Sequence, residues 1–253
     1  GGQGIYALDI TDPSLFGEGN ANSLIMWEFN DDHDGDLGNT YSQPQIAKMN
    51  NGKWMVITGN GYNNTASDDV NGYCSDSNPA TICPVSTTGD AILFILDAEN
   101  GPATTYYKLS TETGMAEDPK GSSTPNGLSS LALSDTDGNF TVDYIYAGDL
   151  FGNLWKFDVR DSNPANWTVY KTKSGTPTPL FIATDDLGNR QPITSAPVAA
   201  SHPSQTGRLI HFGTGKYLEF VDIDDDSLQS FYTVWDRDES SITTIGRSHT
   251  FQQ

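Results

Sequence analysis

The strongest constraint on the fold is a repeated rhythm. Short runs of alternating apolar and β-branched or aromatic residues, broken by Gly, Asn, Asp and Pro, recur in groups of four, and little of the chain has helical periodicity. The clearest group is LSSLALS (128–134), YIYAG (144–148), NLWKFDV (153–159) and NWTVYK (166–171). Before it come QPQIAKM (43–49), KWMVITG (53–59), AILFILD (91–97) and TTYYKL (104–109). After it come SAPVAAS (195–201), RLIHFG (208–213), KYLEFV (216–221) and SFYTVWD (230–236). At the start, GIYALDI (4–10) and LIMWEF (24–29) read as the last two strands of a further group.

The units share punctuation. Second strands end in Gly59-Asn60-Gly61, Gly148-Asp149 and Gly213-Thr214-Gly215, and third strands end in ALD, ILD, KFD and EFV. Self-similar units of four antiparallel strands predict an all-β chain, a β-propeller with about three and a half blades in residues 1–253 and a loop insertion at about 60–90. A closed propeller usually needs at least four blades, so the chain reads as part of one. It opens GGQGIYALD, with neither an initiator Met nor a signal-like stretch, and so reads as a piece of a longer or processed protein. The repeats also explain two false motifs. GNGYNN and GTGK resemble nucleotide-binding glycine loops, but each lies between two strands, where a tight turn needs positive φ.

A formal net charge of −20 with 13 Lys+Arg and no basic cluster argues against a nucleic-acid partner. No apolar run approaches the ~20 residues of a membrane helix. The two cysteines, Cys74 and Cys83, share one polar stretch, GYCSDSNPATICP, which predicts a disulfide stapling that loop and an oxidising compartment.

Against this background SDTDGNFTVD (134–143) stands out. It joins the first and second strands of its unit. The equivalent connections, Asn50-Asn51-Gly52 and 202–207 (HPSQTG), contain no carboxylate, so the fold closes this hairpin without acid. A cation supplies the missing reason. Asp135, Asp137 and Asn139 occupy alternate positions, Thr141 offers its backbone carbonyl, and Asp143 anchors the set to the next strand. Six to eight flexible oxygens suit calcium, while the lack of His and Cys argues against zinc. Phe140 stands where an EF-hand requires Gly, so the loop is not an EF-hand. Two other acidic runs, Asp31, Asp32, Asp34 and Asp36 and then Asp222, Asp224, Asp225 and Asp226, read as solvated turns. The histidines are scattered, no nucleophile elbow is present, and no carboxylate pair can be singled out, so no catalytic residue is assigned.

The phrases GGQGIYALDITDPS, WEF, LGNTYSQPQIAKMNNGKWMVITGNGYN, LFILD, YIYAGDLFGNLWKFDV and FYTVWD, spread over nearly the whole chain, resemble the PilY/PilC proteins of type IV pili. The resemblance implies the C-terminal β-propeller of a non-enzymatic, pilus-tip-associated adhesin and biogenesis factor of Gram-negative bacteria. Such a protein is exported across the inner membrane to the outer membrane and cell surface, and its partners are minor pilins and host-cell receptors. It further implies a calcium loop that controls pilus extension and retraction, falling here on Asp135, Asp137, Asn139, the Thr141 carbonyl and Asp143. A rival from another class is a quinoprotein-like, calcium-dependent dehydrogenase propeller. That would gather its ligands from several blades around the axis, whereas these lie in one contiguous loop. A purely structural scaffold with an empty loop is the third reading.

Overall fold

The computed structural model describes residues 2–66, 84–239 and 243–249. Their strands are β1 (Gly4–Leu8), β2 (Ile25–Asn30), β3 (Gln45–Lys48), β4 (Trp54–Gly59), β5 (Ile92–Asp97), β6 (Tyr107–Ser110), β7 (Leu128–Ser134), β8 (Tyr144–Asp149), β9 (Asn153–Asp158), β10 (Thr168–Val169), β11 (Phe181–Ile182), β12 (Val198–Ser201), β13 (Arg208–Gly213), β14 (Phe231–Asp236) and β15 (Ile245–Gly246). The half-blade is the antiparallel pair β1-β2, the first full blade is β3-β4-β5-β6, the second is built on β7-β8-β9, and the third is β12-β13-β14. In the second blade the fourth strand is divided: β10 pairs with the Phe157–Asp158 end of β9 and β11 with its Asn153–Leu154 end. β15 then returns to lie parallel to β11.

Strand periodicity shows why these sheets stack radially. Successive residues of a strand face opposite sides, and here both sides are apolar. On β5, Ile92, Phe94 and Leu96 join Trp27 and Phe29 in a core against the half-blade, while Leu93 and Ile95 join Ile145, Trp155 and Phe157 in a core against the second blade. On β8, Ile145 and Ala147 face the first blade, and Tyr144 and Tyr146 face Ile210, Phe212 and Tyr232 of the third. The first and second blades are thus each sandwiched between their sequence neighbours, while the half-blade and the third blade pack on one neighbour each, and the propeller expected from the sequence is the architecture found.

Two of the shared sequence signals have clear causes. Gly59, the last residue of β4, and Gly148, the last but one of β8, lie where a Cβ would stand 2.3 Å from the Leu128 carbonyl oxygen and 2.2 Å from Ile193 Cγ2 of the following blade. The Asp at the end of each third strand closes an Asx-turn by accepting the N–H two residues on: Asp9, just after β1, from Thr11 (3.0 Å), and the strand-terminal Asp97 from Glu99 (3.1 Å), Asp158 from Arg160 (3.2 Å) and Asp236 from Asp238 (3.0 Å).

That turn also corrects one expectation. Residues 216–221 alternate like a strand but do not form one, and β14 pairs directly with β13 as the third strand. The chain instead turns through a 3₁₀ segment, Phe220–Asp224, because buried Asp222 accepts the N–H groups of Leu218 (2.8 Å) and Glu219 (2.9 Å) and pairs with Lys216 (2.8 Å). The third-strand signature of this blade is therefore VWD, not EFV. The glycine loops are turns, as expected, with Gly61 at φ 76° and Gly215 at φ 133°.

Candidate metal centre

The β7–β8 hairpin is shaped by short-range polar contacts. Asp135 accepts the N–H of Gly138 (2.7 Å) and of Phe140 (2.8 Å), folding the loop over its own carboxylate. Gly138 and Phe140 take positive φ, 81° and 66°, so the tip is a tight curl with the Phe140 ring outside and 88% exposed. Asp137 accepts the Asn139 N–H and side-chain amide, both at 3.0 Å. Asn139 in turn accepts the Thr141 N–H at 2.8 Å and the Thr141 hydroxyl. Asp143 is 4% exposed and accepts the Thr136 N–H (2.8 Å) and hydroxyl through a single oxygen, Oδ2. Desolvation raises the pKa of Asp135, but the N–H donors of Phe140 and Gly138 outweigh it and hold the carboxyl below the usual range.

The curl brings the carboxylates of Asp135, Asp137 and Asp143 together, each with an oxygen within 4.8 Å of the others. Two oxygens on opposite sides of a calcium ion at about 2.3–2.6 Å stand about 4.6–5.2 Å apart, so the three fit around one ion of that size. Among the described residues this is the one such cluster of acidic, His or Cys side chains. Asn139 and Thr141 lie in the same curl, each hydrogen-bonded within the loop. The donor set is all oxygen, as calcium requires.

The other acidic runs differ, and they are not simply solvated. Asp34 accepts from Lys108 (2.8 Å) and the Tyr106 hydroxyl (3.0 Å), and Asp36 pairs with the same Lys108. Asp222 pairs with Lys216. Cys74 and Cys83 lie outside the described residues. Three of the four histidines make structural contacts: His33 bonds the Asn30 side chain (2.6 Å), His202 packs on Trp235 and His211 bonds Thr233 across the sheet (2.9 Å).

Two residues that sequence reasoning passed over touch the loop. Asn50, in the hairpin of the first blade, accepts the Thr141 hydroxyl (2.9 Å) and donates to the Val142 carbonyl (2.8 Å). Arg208, at the start of β13, donates to the Asp135 carbonyl (2.6 Å). Neither has a local sequence signal, because each is 73 or more residues from its contact.

Radially stacked antiparallel sheets carrying an oxygen-rich loop on one hairpin define a β-propeller module with a candidate cation centre. The chain belongs to the PilY1 β-propeller family, whose model matches residues 1–250. It is 39% identical over 241 residues to a type IV pilus biogenesis factor PilY1 homologue of Xylella fastidiosa, covering 93% of this chain and 14% of that protein. It is 35% identical over 252 residues to the type IV pilus biogenesis factor PilY1 of Pseudomonas aeruginosa, covering 94% and 18%. The crystal structure of the P. aeruginosa PilY1 C-terminal domain superposes with a TM-score of 0.74 at 33% identity, over 98% of this chain and 47% of that one. The chain therefore spans less than a fifth of the length of these two curated relatives. Among the described residues no helix is long and apolar enough to cross a membrane.

Proposed function

We propose that the chain is the calcium-binding propeller of a type IV pilus biogenesis factor and acts as a binding module, not an enzyme. Asp135, Asp137 and Asp143, with Asn139 and the Thr141 carbonyl, hold the ion. Its charge offsets the repulsion among three carboxylates and fixes the curl of the hairpin. The ordered loop, with Phe140 at its tip, forms part of a surface that engages minor pilins or a host-cell receptor. Occupancy of the loop thereby regulates pilus extension, retraction and attachment at the cell surface.

The observation that carries this reading is the convergence of three carboxylates, one of them buried, on a hairpin whose two sister hairpins have none. Isothermal titration with calcium on metal-stripped protein is expected to show one site, abolished in Asp143→Ala, and calcium is expected to raise the melting temperature reversibly to chelator. Equal calcium uptake by wild type and Asp143→Ala would remove the assignment.

A further inference from the structure

The loop is held from both sides. Its outgoing arm is tied to the first blade: Asn50 accepts the Thr141 hydroxyl and donates to the carbonyls of Val142 (2.8 Å) and Val159 (3.4 Å). Around it the backbone joins the two blades, with the Val142 N–H on the Lys48 carbonyl (3.0 Å) and Met49 bridged to Val142. Its incoming arm is tied to the third blade. Arg208 places Nη2 on the Asp135 carbonyl (2.6 Å), Nε on the Ser134 hydroxyl (3.2 Å) and Nη1 on the Ser201 hydroxyl. Ser134 and Ser201 are the last residues of β7 and β12, so one guanidinium fork joins the ends of two inner strands to the first residue of the loop. The equivalent first residues of the other second strands are Trp54 and Tyr144, which offer no such fork.

We propose that Arg208 and Asn50 are positioning residues for the ion loop, and that through them occupancy of the loop is coupled to the packing of the third and first blades. This rests on the calcium reading above and extends it. Neither side chain is a ligand. Arg208 fixes where the Asp135 backbone starts, and Asn50 fixes where the backbone between Thr141 and Asp143 ends, so together they set the gap across which Asp135 and Asp143 face each other. Coupling of this kind is reciprocal: whatever these contacts contribute to ion affinity, the ion returns as rigidity of the blades they reach. Arg208 also carries positive charge, which by itself would disfavour a cation nearby. The two effects of Arg208 predict opposite outcomes, and positioning is the one we assign.

The test uses Arg208→Lys, which keeps the charge but loses the fork, Arg208→Gln, which loses the charge, and Asn50→Ala on the other arm. Each is measured by calcium titration and by hydrogen exchange with and without calcium. Loss of one or two contacts predicts calcium affinity about fivefold to tenfold weaker in Arg208→Lys and Arg208→Gln, and about threefold weaker in Asn50→Ala. In the wild type, calcium slows exchange in 134–143 and in the β12–β13 hairpin, 201–208. In Arg208→Lys at saturating calcium the first effect remains and the second disappears. A merely structural role would lower stability equally with and without the ion and leave the calcium-induced protection of 201–208 intact, which overturns the proposal. Unchanged binding in Arg208→Lys with tighter binding in Arg208→Gln overturns it in favour of charge. Loss of calcium binding in Asp143→Ala alone refutes positioning but leaves the calcium site standing. Absence of binding in the wild type refutes both.

Discussion

Lys156 gives the sharpest test of how the blades are joined. It lies on β9, faces the third blade and is completely buried. Its Nζ is 2.7 Å from Asp236 and 3.2 Å from Asp238, and it sits over the rings of Tyr144 (3.9 Å) and Tyr170 (4.7 Å). The Tyr146 hydroxyl donates to Asp236 at 2.7 Å; burial, then the charge of Asp236, pushes its phenol far up, so it stays a donor. Lys156→Met keeps the volume and removes the charge, leaving a buried Asp236 carboxylate with only the Tyr146 hydroxyl and the Asp238 N–H. Breaking a buried pair from one side costs about 3–5 kcal/mol, and the two remaining donors put this case near the lower end. For a chain of this size that lowers the melting temperature by about 6–12 °C. Asp236→Asn added to Lys156→Met removes the stranded charge and keeps the Asx-turn acceptor, so the double variant is expected to lie within about 1–2 kcal/mol of wild type. Calorimetry on wild type, both single variants and the double closes the cycle. A Lys156→Met loss below about 1 kcal/mol, or a double variant no better than the single, refutes the stranded-charge argument.

Gly59→Ala drives a Cβ to 2.3 Å from a backbone oxygen of the next blade, whereas Gly213, at the same place in the third blade, has nothing within 4 Å. Expression and melting of the two variants are expected to differ sharply, with Gly213→Ala close to wild type. Acid stability follows from carboxyls held low: Asp97 by Lys53; Asp118 against its burial by the N–H donors of Thr124, Lys120 and Ser122; and Asp222 against its burial by Lys216 and then the N–H donors of Leu218 and Glu219. A depressed folded pKa gives stability that is complete above about pH 4 and is lost as pH falls through the folded value, so these groups add no slope between pH 5 and 8. The melting-temperature difference between wild type and Asp222→Asn is expected to stay constant from pH 8 to 5 and to shrink below about pH 4; a difference that already shrinks between pH 7 and 5 would contradict this. Cys74 and Cys83 are expected to resist alkylation in unreduced protein and to gain two labels after reduction, read by intact mass.

The fold was legible wherever a local rule sets it. Short apolar and aromatic runs located β5 and β8, and the Gly and Asp near strand ends marked their limits because steric approach and the Asx-turn act within a few residues. Legibility failed at 216–221, where KYLEFV has strand periodicity but Asp222 and Lys216 bend the chain into a 3₁₀ turn. It failed again in the fourth strand of the second blade, which the run 166–171 represents only at Thr168–Val169, the rest being supplied by Phe181–Ile182. At the candidate centre, the spacing of Asp135, Asp137, Asn139, Thr141 and Asp143 foretold that they share one curl, with the three acids clustered, while Arg208 and Asn50 carried no such signal, since only tertiary structure brings them to the loop.

The three acidic runs show what spacing alone leaves undecided. All three are dense in Asp, and composition ranks them alike. What separates them is whether the fold supplies a cation of its own. Lys108 comes 74 residues along the chain to Asp34 and also reaches Asp36, and Lys216 folds back within a few residues onto Asp222 and Glu219. At 135–143 no lysine or arginine pairs with a carboxylate among the described residues; Arg208, which reaches the loop, places its donors on a carbonyl and two hydroxyls. In a chain with 33 acidic and 13 basic residues, most acids must find water or an external cation. Asp143 is nearly withdrawn from water, and among the described residues its carboxylate has only the Thr136 N–H and hydroxyl as donors, which is why the calcium reading proposed above turns on this loop and on neither of the other two.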